Sequence, residues 1–282
     1  MACADCFRGT INEGTPTGEI TKLHGFDTYV AAPPQNTRPK GIVVMVPDGF
    51  GWSLSNSRVL ADSYARKGEF LVYLPDFMAG QGLHPILFSH MSNVFATGLW
   101  ATLTKPYYFL CAVTHFVPFM IKTRPSVTYP RVLSFVHAVR ADPSTASLPM
   151  GAAGFCWGGK HTALLCRDTE KGTGGRSLID VVFMAHPSQL KVPTDIELVK
   201  KPLSIAIGDK DFVMNSKTVE QTRTVLGKKT EVEHEVVVYE GATHGFAVRG
   251  NPGDEQEKKR GEEAADQAIN WFSKWFTSST TS

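Results

Sequence analysis

The apolar run 148–155 leads directly into Cys156-Trp157-Gly158-Gly159, with Gly154 two places before the cysteine. A strand that ends in a cysteine set among glycines, and continues as a helix from near Gly159, leaves a chain few folds to choose from. The reversal is sharp enough that only small residues fit on either side of it. The apex residue is then held in a strained backbone conformation. Its side chain stands above the sheet, and the next backbone N–H points at the same spot. The ordinary alternative is a buried free cysteine, since cysteine is among the most buried residue types. The flanking glycines favour the exposed apex.

Two partners follow in order. The strand-like run 203–207 ends in Gly208-Asp209-Lys210-Asp211-Phe212-Val213, and the run 235–239 leads to Thr243-His244-Gly245-Phe246. Nucleophile, acid and histidine is the chain order of α/β-hydrolases, whose G-x-S-x-G turn has the same logic with a hydroxyl in place of sulfur. Each group follows a strand read as parallel, so all three converge at the carboxyl edge of one sheet. His244 would take the thiol proton, and an aspartate would hold its imidazole in the right tautomer. Spacing alone does not separate Asp209 from Asp211. Taken singly, the aspartates read as solvated turn residues and the histidine as a strand-end cap.

These segments, with Val46-Pro47-Asp48-Gly49-Phe50-Gly51 after the run 41–46, resemble the dienelactone hydrolase family, a cysteine-nucleophile branch of the α/β-hydrolases. The resemblance spans most of the chain. It implies an α/β-hydrolase fold and a Cys156-His244-Asp211 triad, because the family's acid is the last residue of its G-x-x-D. It also implies an oxyanion hole from the N–H groups of Gly49 and Trp157. Bacterial members carry a glutamate that contacts the resting thiol where this chain has Asp48, which is one methylene shorter. The family's two substrate-binding arginines fall at Gly80 and Val248, with Arg249 one place beyond. A carboxylate clamp is therefore not implied, and Arg249 is a pocket candidate set against an ordinary exposed arginine.

The remaining regions fit one α/β domain over residues 1–282. Residues 20–23 and 28–32 read as a hairpin, 41–46, 70–74 and 178–184 as strands, and 56–67, 129–140 and 261–276 as helices. The helix over 56–67 would be capped by Ser55 or Asn56. His186 follows a strand at the triad's edge, either lining the pocket or holding a local hydrogen bond. Residues 83–125 are unusually apolar and aromatic. Pro106, Pro118 and Pro125 predict two or three short helices there, forming a lid with an apolar wall. Core packing and a homodimer contact are the competing readings of this segment.

Composition narrows the function classes. With 29 basic and 27 acidic residues, the net charge of +2 gives no footprint for nucleic acid. No apolar stretch is long enough to span a membrane, and no signal region follows Arg8, so a cytoplasmic protein is expected. Five cysteines, an odd number, argue against a disulfide framework, and Cys3-Ala4-Asp5-Cys6 lacks a second ligand pair. His84, His90, His115, His137 and His161 show no metal spacing, so neither a metal nor a cofactor is expected. The expected reaction is acyl transfer from a lactone, ester or anhydride to water through a thioester. The motifs look closest to fungal members, which implies a bulky, partly aromatic substrate of secondary metabolism. The alternatives are a non-hydrolytic isomerase, dehydratase or C–C lyase on the same scaffold, and a non-catalytic binding protein.

Overall fold

Strand β3 (Ile42–Val46) is buried at every residue, and its side chains divide by period 2 between two apolar clusters. Ile42, Val44 and Val46 enter one cluster, while Val43 and Met45 enter the other. The same division recurs in β5 (Met150–Phe155), β6 (Val181–Ala185) and β7 (Leu203–Gly208). A strand with both faces covered belongs to a parallel sheet between helical layers, which is why these runs read as continuously apolar.

These strands come from a computed structural model that describes residue 11, residues 14–251 and residues 253–278. With β1 (Glu19–Leu23), β2 (Phe26–Ala31), β4 (Leu71–Pro75) and β8 (His234–Tyr239), they form an eight-stranded sheet in the order β1-β2-β4-β3-β5-β6-β7-β8. The pairs β1–β2 and β2–β4 are antiparallel, and all others are parallel. His24 and Gly25 both take positive φ between β1 and β2, as a two-residue hairpin turn requires. Helix α1 (Ser55–Gly68) and the helix Glu255–Ser278 cover one face, where Phe272 and Phe276 pack edge-on against Phe70. The helix α4 (Pro125–Ala141) supplies Val132, Phe135, Val136 and Val139 to the opposite cluster.

Three local readings change. The N-cap of α1 is Leu54, without a side-chain hydrogen bond; Asn56 donates its amide to the Val248 carbonyl instead, at 3.0 Å. The helix after Cys156, α5 (Trp157–Leu165), begins at Trp157, two residues before the expected start. The apolar insertion forms α2 (Ile86–Phe95) and one long α3 (Leu99–Lys122), which runs through both Pro106 and Pro118. Each proline lacks an N–H and frees the carbonyl four residues back, at Thr102 and Thr114. Both residues are exposed, so water can satisfy those carbonyls and the helix continues. Pro125 does act as a boundary, because it opens α4. No helix among the described residues is long and apolar enough to cross a membrane. Cys3 and Cys6 lie outside the described residues.

Candidate active site

Cys156 sits between β5 and α5 with φ 48° and ψ −108°, a conformation that costs a non-glycine residue on the order of 1–3 kcal/mol. Its surroundings hold it there. Its N–H bonds to the Ala185 carbonyl at 3.2 Å, and its own carbonyl accepts from Ser188 at 2.9 Å and Gly159 at 3.0 Å. A Cβ on Gly158 would lie 2.0 Å from the Val46 carbonyl oxygen, and one on Gly154 would lie 2.3 Å from Thr162 Oγ1. The glycines of the motif are therefore a steric requirement of the turn.

The structure brings the expected partners to the same sheet edge. His244 Nδ1 lies 2.9 Å from Asp211 Oδ2, and both side chains are fully buried. The other Asp211 oxygen accepts the Val213 and Met214 N–H groups at 2.8 and 3.1 Å. Asp209 is exposed, so burial separates the two aspartates that spacing could not. Burial works to depress the His244 pKa. Cys156 and the hydrogen-bonded Asp211 outweigh it and hold the ring well above the ordinary histidine value. Cys156 Sγ itself donates to Ser188 Oγ at 3.7 Å. Ser188 carried no sequence signal beyond its place after β6. Among the described residues, the N–H groups of Gly49 and Trp157 are not used by any protein hydrogen bond.

Among the described residues, Asp48 makes no hydrogen bond to the thiol. Its Oδ1 accepts the Phe50 N–H at 3.0 Å, and its Oδ2 lies 2.8 Å from Arg249 Nε. Arg249 is 2% exposed, which overturns its reading as a surface arginine. The reason is local: the single helical turn Phe246–Arg249 folds the side chain back, and Gly245, with φ 93°, leaves room for the guanidinium. The Arg249 guanidinium also lies over the rings of Phe50 and Phe88, which stack 4.3 Å apart. A cavity of about 280 Å³ opens beside Cys156, Gly49 and Trp157. Leu83 and, from α3, Phe116, Phe119 and Met120 give it an apolar wall. Arg249 is the one charged side chain among its described lining residues.

His186 is buried, 5.1 Å from the His244 ring and edge-on to it, and does not line that cavity. Neither of its ring nitrogens has a hydrogen-bond partner among the described residues. Burial, reinforced by the His244 and Arg249 charges, holds its pKa well below the ordinary value. No group of three or more described His, Cys, Asp or Glu side chains could hold a metal ion.

His161, on α5, braces the turn from below. Its ring lies 4.0 Å from Trp157 and hydrogen-bonds with Thr128 Oγ1 at 2.8 Å. Burial lowers its pKa from 6.5 to about 4. The unfolded chain therefore takes up a proton that the folded chain refuses, so this contribution is complete above pH 6.5 and is lost as pH falls toward 4. His161→Gln is expected to flatten the fall in Tm between pH 7 and pH 4.5, removing a few kcal/mol of acid sensitivity. Thermal melts of both proteins across that range check it.

Against this geometry, residues 26–276 match the model of the dienelactone hydrolase family. The chain belongs to that family and is a hydrolase of the lactone and ester type. The hydrolase pyvD of Aspergillus violaceofuscus is 24% identical over 270 residues, covering 96% of this chain and 95% of its own. The human carboxymethylenebutenolidase homolog is 26% identical over 262 residues, covering 92% and 91%. The crystal structure of dienelactone hydrolase from Anabaena variabilis has a similar fold, with a TM-score of 0.59 at 14% identity over 92% of this chain and 98% of that one.

Proposed function

We propose that the chain hydrolyses uncharged, bulky and partly aromatic esters, lactones or anhydrides through a Cys156 thioester. The observation that carries the reading is the strained Cys156 turn beside the buried His244–Asp211 pair, at the mouth of an apolar cavity. His244 takes the thiol proton, and the sulfur attacks the carbonyl carbon. The tetrahedral oxyanion is held by the N–H groups of Gly49 and Trp157, where losing one such donor typically costs about 10²–10³ in rate. As the ester C–O bond breaks, His244 returns the proton to the leaving oxygen. A water deprotonated by His244 then attacks the thioester and releases the acid and the thiol. A sulfur nucleophile is also a good leaving group, which suits activated carbonyls better than amides.

Substrate charge follows from the Asp48–Arg249 pair. The one lining cation is already matched by a buried carboxylate, so the cavity favours a neutral acyl group over one with its own carboxylate. Helix α3 acts in this reading as the lid that closes the apolar wall. A place in secondary metabolism is part of this reading, and a thiol nucleophile suits the reducing cytoplasm. The test compares 4-nitrophenyl butyrate with the 4-nitrophenyl monoester of succinate. The neutral ester is expected to be preferred by at least about tenfold in kcat/KM, or ~1.4 kcal/mol. Preference for the succinate ester would refute the neutral-substrate reading.

A further inference from the structure

The sulfur of Cys156 rests on a hydroxyl. Its thiol donates to Ser188 Oγ at 3.7 Å, while His244 Nε2 makes no hydrogen bond among the described residues. The backbone sets Ser188 there. Its N–H donates to the Cys156 carbonyl at 2.9 Å, and the Cys156 N–H donates to Ala185 at the end of β6, so the two turns are tied at two points. Pro187, just before it, packs so tightly on the start of α5 that a Cβ on Gly159 would lie 2.4 Å from the Pro187 Cβ. His186 and Gln189, flanking this pair, take φ 38° and 60°, strained conformations that persist only where the surroundings impose them. The loop therefore has little freedom to carry the hydroxyl elsewhere. Ser188 lines the same cavity as Cys156, and its Oγ makes no other hydrogen bond among the described residues. Its own proton is uncommitted.

We propose that Ser188 is a further catalytic residue, whose hydroxyl donates to the Cys156 thiolate and holds it for attack. The role rests on Cys156 being the nucleophile. A hydroxyl can accept from a thiol and donate to a thiolate, and the two bonds are unequal. The thiol is a weak donor, whereas an O–H bond to an anion is charge-assisted and roughly twice as strong as a neutral one. The hydroxyl therefore favours the thiolate over the thiol. When His244 takes the thiol proton, the Ser188 O–H turns toward the sulfur and keeps its own proton throughout. As the S–C bond forms, the negative charge moves to the carbonyl oxygen and the Ser188 bond weakens. It forms again when water has attacked the thioester and the S–C bond breaks, so one contact serves both half-reactions. The titratable groups around the site are His244 backed by Asp211, the Asp48–Arg249 pair at the cavity, His186 beside His244, and His161 against Trp157. Ser188→Ala alters none of them.

The pH profile of Cys156 alkylation by iodoacetamide tests this on the full chain, with the modified peptide identified by mass. On the low-pH limb, Ser188→Ala is expected to hold about tenfold less thiolate than wild type. A thiolate relieved of a hydrogen bond is more nucleophilic, with a Brønsted slope of about 0.4–0.5, so alkylation there is expected to slow by about threefold. On the high-pH plateau both proteins are fully ionised, and the variant is expected to react about threefold faster. The two profiles therefore cross, which a packing defect would not produce. Folding is expected to be unchanged, because the bond from Ser188 to the Cys156 carbonyl uses the backbone. A variant whose profile coincides with that of wild type overturns the proposal. So does one that alkylates faster on the low-pH limb, where the hydroxyl would then serve only the neutral thiol. Alkylation needs no turnover, which keeps this result apart from the ester assays. Hydrolysis retained by Cys156→Ala would instead remove the thioester reading, and the catalytic role of Ser188 with it.

Discussion

Cys156→Ala is expected to lower kcat/KM for an activated aryl ester by at least about 10⁴-fold, since removing a nucleophile leaves only binding and oxyanion stabilisation. The fold is expected to survive. Alanine keeps the Cβ that the turn already accommodates, and the backbone bonds to Ala185, Ser188 and Gly159 do not involve the thiol. Cys156→Ser is expected to fall between the two, because the hydroxyl gives up its proton to His244 far less readily than the thiol does. Equal Tm values for the three proteins, measured beside the rates, separate a chemical loss from a folding loss. An alanine variant as active as wild type would remove Cys156 from the mechanism.

Arg249→Met is expected to destabilise the protein by about 3–5 kcal/mol, the usual cost of stripping one partner from a buried ion pair. Asp48 is fully buried, and the substitution leaves its carboxylate with the Phe50 N–H in place of a cation. In a chain of this size that corresponds to a fall in Tm on the order of 10 °C. Adding Asp48→Asn removes the uncompensated charge, so the double variant is expected to be more stable than Arg249→Met alone. The same substitution enlarges the cavity and takes away its one charged lining residue. Activity on neutral esters is expected to fall less than stability does. A single variant as stable as wild type would show that the pair contributes nothing net.

The centre of the sheet was legible because β3, β5, β6 and β7 are buried at every residue and read as nearly continuous apolar runs. The Cys156 turn was legible because glycine is obligatory at Gly154 and Gly158. Asp211 needed the family resemblance, since Asp209 occupies the same loop and only burial tells them apart. Three features were hidden for physical reasons. The course of α3 through Pro106 and Pro118 depends on exposed carbonyls, which a sequence does not display. Arg249 owes its burial to a single helical turn, too short to show a period, and to a partner, Asp48, far away in sequence. Ser188 reaches Cys156 because β5 and β6 are neighbours in the sheet, a fact of strand order rather than of residue type.

The proposed reaction passes an acyl group through the sulfur of Cys156. Its most direct test is the intact mass of the protein quenched in acid during turnover of an activated aryl ester. The wild type is expected to gain one acyl group, mapped to the peptide that contains Cys156, cleaved by neutral hydroxylamine as a thioester is, and missing from Cys156→Ala. Turnover with an acyl group on another residue, or an adduct that persists in the alanine variant, would contradict it.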